Sequence, residues 1–284
     1  YPIGGKDVRQ ISARLEHKQP AASPYRRPTG QPMSRPEAIL ELFSFASFLA
    51  VLIVGTTVGS RLLLLARRTR KLPELAIGTT CLSMAVGGVM LCPLIYFAES
   101  WPDWLIFAIS IISKLNFALG ASALCLLNWR VFRPGRVWAA SAFAAASVAM
   151  AGAILVQALR GDATAHWALL PENYVLWGVR VVAYSWTGFE SLRYAGMMRR
   201  QARVGLGDPV VAAQIRLWGV AGTTIAGMLM LWALAPHLGY ASVRDWPMGM
   251  FVANALGLVA ASSMHLAFLP PLALRRWIEQ RAAG

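Results

Sequence analysis

Seven runs of predominantly apolar residues, each of membrane-crossing length, alternate with short polar junctions along this chain. They fall at about 39–66, 73–98, 104–128, 137–159, 174–196, 209–235 and 248–269. A helix of about 20 apolar residues spans the ~30 Å hydrocarbon core of a bilayer. Only helices and closed barrels satisfy every backbone group there. The pattern predicts an all-α polytopic membrane protein, a seven-transmembrane-helix bundle.

The fifth run differs from the other six. Placed on a helix at about 100° per residue, Arg180, Tyr184, Thr187, Glu190, Ser191 and Tyr194 share an arc of roughly 120°. Val181, Val182, Phe189 and Leu192 occupy the other side. A spanning helix with such a stripe must turn it toward other helices or a wet cavity. The run ends in a basic segment that includes Arg199, Arg200 and Arg203.

Local signals punctuate the chain. Pro73-Glu74 and Asp208-Pro209 suit helix starts, with proline in the first turn and an acid near the positive end. Ser100 with Asp103 fits a capping box ahead of the third run. Gly87-Gly88 and Pro93 predict a kink in the second. Gly55 with Gly59 and Gly222 with Ala226 form small-residue pairs that allow close helix approach. The fourth run is alanine-rich and predicts a plain packing or lipid-facing helix. In the seventh, Gly249, Ala253, Gly257 and Ala261 recur every four residues and lead to His265. Pro270-Pro271 then stops the helix. Residues 1–36 read as a polar, disordered extension, 37–271 as the membrane domain and 272–284 as a short basic tail able to lie on a membrane surface.

Composition agrees with the pattern: the chain is 57% hydrophobic and only 14% charged, with a mean hydropathy of +0.51. Its net charge of +14 is not the footprint of a nucleic-acid partner. The basic residues cluster beyond runs 1, 3, 5 and 7, whereas the junctions after runs 2, 4 and 6 hold only Arg160 and Arg244. The positive-inside rule then sets the N-terminus outside and the C-terminus in the cytoplasm. Residues 1–32 are also basic, and four consistent junctions outweigh them. Four lysines among 27 basic residues, together with abundant alanine, suggest a GC-rich bacterial genome and so a bacterial cytoplasmic membrane.

Candidate chemistry is sparse. Cys81, Cys92 and Cys125 lie inside apolar runs without paired spacing, which fits buried apolar roles. A retinal Schiff base would need a lysine in the seventh run, which has none. Bis-histidine haem needs two intramembrane histidines, and only His265 qualifies, since His166 and His237 fall in junctions. No HExxH or comparable cluster is present. The reading therefore assigns no catalytic residue, no metal site and no cofactor.

Ionisable groups within runs are expensive in lipid and mark an interior. The candidate polar interior comprises Lys114, Asn116, Arg180, Tyr184, Glu190, Thr223, Asn254 and His265. Lys114 is expected to meet Glu41, Glu99 or Glu190, and Arg180 to meet Glu99, Asp162 or Glu172. His265 is expected to be a satisfied packing histidine; the alternative, if runs 5 and 7 are neighbours, is a proton-linked pair with Glu190. The expected function is receptor-like or ligand-binding, in contact with the lipid bilayer and with a protein partner in the membrane or at the cytoplasmic basic loops. The alternatives are an accessory subunit of a larger membrane complex and a small-solute or proton pathway.

Overall fold

A computed structural model describes residues 35–91, 101–161, 170–240 and 242–283. The extension up to residue 34, Cys92, Pro93, Glu99, Ser100, Asp162, His166 and Trp167 lie outside the described residues. The chain divides into two compact units, Tyr1–Ile39 and Leu40–Gly284. Of the first, the described part is the opening of one helix, from Arg35.

Among the described residues the chain is all helical. The helices are α1 (Arg35–Thr69), α2 (Leu72–Ser83), α3 (Asp103–Leu127), α4 (Val137–Arg160), α5 (Pro171–Arg203), α6 (Pro209–Leu234), α7 (Pro247–Phe268) and α8 (Leu272–Ala283). Each of the first seven falls on one of the apolar runs. Five of them, α1, α3, α4, α6 and α7, are long and apolar enough to cross a membrane. The chain is thus an all-α protein with several membrane-length helices. The other two depart from that standard for physical reasons. In α2 the α-helix lasts 12 residues and continues as the π-helix Met84–Leu91, which contains Gly87-Gly88. In α5 the polar stripe and the basic end lower the apolarity of a helix of 33 residues, about 50 Å long.

The starts follow local chemistry. Asp208 caps α6, its Oδ1 accepting from the Val210 and Val211 amides, with Pro209 at the first helical position. The start of α3 differs from expectation. Pro102 occupies the cap with an extended backbone, and Asp103 sits in the first turn, where its charge meets the positive end of the helix.

Consecutive helices run antiparallel and in contact, α2 on α3, α3 on α4, α4 on α5, α5 on α6 and α6 on α7. A direct α3–α5 contact crosses the middle. The other seams of α1 close the ring. A Cβ on Gly59 would lie 2.9 Å from the Leu82 backbone nitrogen, so α2 approaches α1 at backbone distance. On its other side Ser47 Oγ donates to the Asn254 carbonyl of α7 at 3.0 Å, and Phe43 stacks on Phe251 at 5.3 Å. The core inside the ring is built from small and medium residues such as Ala121, Leu124, Met150, Leu176, Ala221 and Ile225. Large apolar side chains face outward, Val148, Leu159, Val182 and Phe189 among them, the inversion a lipid environment permits. The junctions after α1, α3 and α5 and the start of α8 gather at one end, here called the basic end.

Candidate functional site

The interior polar groups form two clusters joined by one helix. The first lies toward the end opposite the basic one. Lys114, nearly half-way along α3, is only 2% exposed. Its Nζ donates to Gln157 Oε1 of α4 at 2.7 Å, and Gln157 Nε2 donates to Asn173 Oδ1 of α5 at 2.8 Å. One amide side chain thus accepts from one helix and donates to another, and three helices share one buried chain of hydrogen bonds. Seven residues beyond Asn173, Arg180 places its guanidinium 4.2 Å from the Phe117 ring centroid and 5.1 Å from that of Trp177. Flat delocalised charge over aromatic faces is how an arginine is held where water is scarce. Tyr184 follows one turn later and reaches Met84 Sδ of the π-helix at 3.9 Å.

The second cluster lies toward the basic end. Asn128, where α3 passes into the π-helix Asn128–Phe132, donates from Nδ2 to Thr187 Oγ1 at 3.0 Å. Thr187 in turn donates to the Ala183 carbonyl at 2.8 Å. Arg133 Nε meets Glu190 Oε1 at 2.7 Å, an ion pair in which the carboxylate is largely buried. Asn128, Thr187 and Ser191 have no exposed surface at all. Along α5 the interior positions Asn173, Arg180, Tyr184, Thr187 and Ser191 follow the three-four spacing of a single helix face.

The eight residues proposed from the sequence do not all join these clusters. Lys114, Arg180, Tyr184 and Glu190 lie within them. Asn116 is half-buried against the π-helix, where a Cβ on Gly87 would lie 3.0 Å from its own Cβ. Asn254 bonds to α1, Nδ2 to Ser44 Oγ at 2.6 Å, and belongs to the α1–α7 seam. Thr223 is exposed, and its hydroxyl donates to the carbonyls of its own helix at Gly219 and Val220. His265 is exposed as well. A row spaced by four residues advances about 40° per step, so over four steps from Gly249 it turns roughly 160° around the helix. Gly249, Ala253, Gly257 and Ala261 remain buried, and the fifth position comes out on the far side.

Several expected partners change accordingly. Glu190 pairs with Arg133, just past the π-helix that follows α3, and not with His265. Glu172 pairs with Arg160 at 2.7 Å and not with Arg180. The described partner of Lys114 is an amide, Gln157, while Glu41 is exposed on α1. The alanine-rich α4, expected to be plain, supplies the hub of the first cluster. Gln157, Asn173, Asn128 and Arg133 were missed by sequence reasoning. For Gln157 a signal existed, a single amide in an otherwise apolar helix.

A cavity between α1, α2 and α7, lined by Val51, Gly55, Cys81, Met84, Ala85 and Met264 among others, has a volume of ≈ 10 Å³. That is room for about one water, among apolar walls that offer it little. Cys81 and Cys125 are free and buried. Among the described residues no three His, Cys, Asp or Glu side chains come together as metal ligands. The chemistry that these clusters offer is hydrogen bonding and charge, with cations and amides presented between helices. No protein-family model, curated protein or solved structure matches the chain.

Proposed function

We propose that the chain is a seven-span, receptor-like protein of the bacterial cytoplasmic membrane, with its N-terminus outside and its basic end in the cytoplasm. A ligand reaches the Lys114–Gln157–Asn173 cluster from the outer side. The state of that cluster passes along α5 to the Arg133–Glu190 pair and to a protein partner at the basic loops. The observation that carries this reading is that one helix bears both clusters on one face. Asn173 and Arg180 sit in its outer half and Thr187 and Glu190 in its inner half, so a small rotation or shift of α5 perturbs both. The orientation rests on the basic residues at one end, against Arg160 and Arg244 at the other.

The test is mass spectrometry of the gently extracted protein. A stoichiometric small molecule is expected with the wild-type chain and is expected to be lost from Lys114→Ala and Gln157→Leu. Extraction with no small molecule under any mild condition, together with a co-purifying membrane protein, would remove the receptor reading.

A second reading, an accessory subunit of a larger membrane complex, is favoured by a different observation. Lys114, Gln157 and Asn173 bond to one another, as do Ser44 and Asn254, and the helix seams close at backbone distance around Gly59 and Gly188. That is the construction of a rigid scaffold. Migration of the extracted chain as a lone monomer counts against it.

A further inference from the structure

At the basic end, a groove of ≈ 460 Å³ opens between α1, α6 and the point where α7 stops. It is lined by Arg61, Gln214, Phe268, Leu269 and Pro270. We infer that this groove seats the headgroup of an anionic phospholipid of the cytoplasmic leaflet. The inference rests on the membrane orientation proposed above and assigns a ligand that neither functional reading requires.

The basic cluster at the end of α1 starts at Arg67, six residues later, so Arg61 lies about 9 Å nearer the bilayer centre. Its neighbours Leu64 and Leu65 are exposed, as acyl chains require. An arginine at that level extends its apolar stem along the helix and its guanidinium toward the phosphate layer. Guanidinium is also the group that holds phosphate by two parallel N–H···O bonds. Across the groove the half-buried Gln214 of α6 adds a neutral amide donor. Phe268, Leu269 and Pro270 provide an apolar side, with Phe268 held edge-on against Trp218 at 5.6 Å.

Charge decides the sign of the ligand. The lining contains one full positive charge and no carboxylate. The last carbonyls of α7 oppose an anion, but they amount to only about half an elementary charge spread over one turn. The Pro270-Pro271 stop turns the chain into α8, which packs on α6 and bears Arg276 on its exposed surface. Basic pockets between helices on the cytoplasmic side attract anionic headgroups. A free phosphate has no use for the apolar wall, so a lipid is the better match.

The experiment places the full chain in nanodiscs of phosphatidylcholine containing a minor fraction of phosphatidylglycerol. Native mass spectrometry then counts the lipids retained on release. Wild type is expected to keep phosphatidylglycerol selectively. Arg61→Gln is expected to reduce that retention about tenfold, the scale of losing a charge-assisted pair. Gln214→Leu should weaken it less, and Arg67→Gln should leave it unchanged. Arg61→Lys, which keeps the charge and loses the fork, should fall between. Equal loss in Arg67→Gln and Arg61→Gln would overturn the site in favour of general surface charge. Displacement of the lipid by excess inorganic phosphate would overturn the lipid assignment. Flotation of each variant with vesicles tests the membrane premise separately, and a wild-type chain that fails to float overturns that premise and the lipid site with it.

Discussion

The seam between α5 and α6 closes at backbone distance, and it yields a prediction of opposite signs from the same substitution on one helix. A Cβ added at Gly188 would sit 2.7 Å from Thr223 Cγ2 and 2.9 Å from the Thr223 backbone nitrogen. The methyl alone could move by rotating the threonine, at the expense of the hydroxyl bonds to Gly219 and Val220. The backbone nitrogen cannot. Relaxing 2.9 Å to an ordinary 3.4 Å moves the whole of α6 by about half an ångström, and a gap of that size forfeits a quarter or more of each contact it opens. Overpacking of this kind costs about 1–3 kcal/mol. Gly178, ten residues earlier on α5, meets nothing within 4 Å of the same added atom. There Gly→Ala returns only the helix propensity, a gain of about 0.5–1 kcal/mol. Gly188→Ala is therefore expected to destabilise by about 1–2 kcal/mol net, and Gly178→Ala to stabilise slightly. Reversible unfolding in mixed detergent micelles, followed by circular dichroism, measures both. If Gly188→Ala proves as stable as wild type, or if both variants lose the same amount, the close approach of α5 and α6 is refuted.

Three further predictions follow from the polar clusters and the charge pattern. Gln157→Leu strips a partner from both Lys114 and Asn173 and is expected to cost about 2 kcal/mol in the same assay, whereas Gln157→Glu should recover most of it, because the carboxylate pairs with Lys114 and the Asn173 amide can rotate to donate. A double-mutant cycle on Arg133 and Glu190 should give a coupling of about 1–3 kcal/mol, since that carboxylate is 8% exposed, while the cycle on Arg160 and Glu172, where the arginine is 58% exposed, should stay below about 1 kcal/mol. Single cysteines in a variant whose native cysteines are replaced by alanine should report the topology. Arg244→Cys should react with a membrane-impermeant thiol reagent on intact cells and Arg68→Cys only after permeabilisation, and the reverse pattern would invert the bundle.

Much of the architecture was legible because lipid imposes simple rules. Apolar runs of membrane-crossing length located each of α1 to α7, since a single segment in hydrocarbon satisfies its own backbone only as a helix. Proline and aspartate placed the start of α6, a matter of one turn's hydrogen bonds. The burial of Arg180, Tyr184, Thr187, Glu190 and Ser191, with Val182 and Phe189 outside, follows from a helical period of 3.6 that the residue order already contains.

Partnership was not legible, because it depends on which helices meet and at what height. His265 lay on a regular row of small residues, yet the 40° drift of that row carried it to the exposed side of α7. Glu190 was a candidate partner for His265 of α7 and pairs in the fold with Arg133, just past the π-helix that ends α3, because α3 and α5 are in direct contact. Gln157 carried a weak signal in isolation and became a hub only when α4 brought it between Lys114 and Asn173. Which segments become helices and which of their faces must avoid lipid are consequences of chain-local chemistry, already present in the residue order. The tertiary structure alone decided which charge meets which amide, because hydrogen bonds of 2.7–2.8 Å between distant helices are set by helix order, tilt and register.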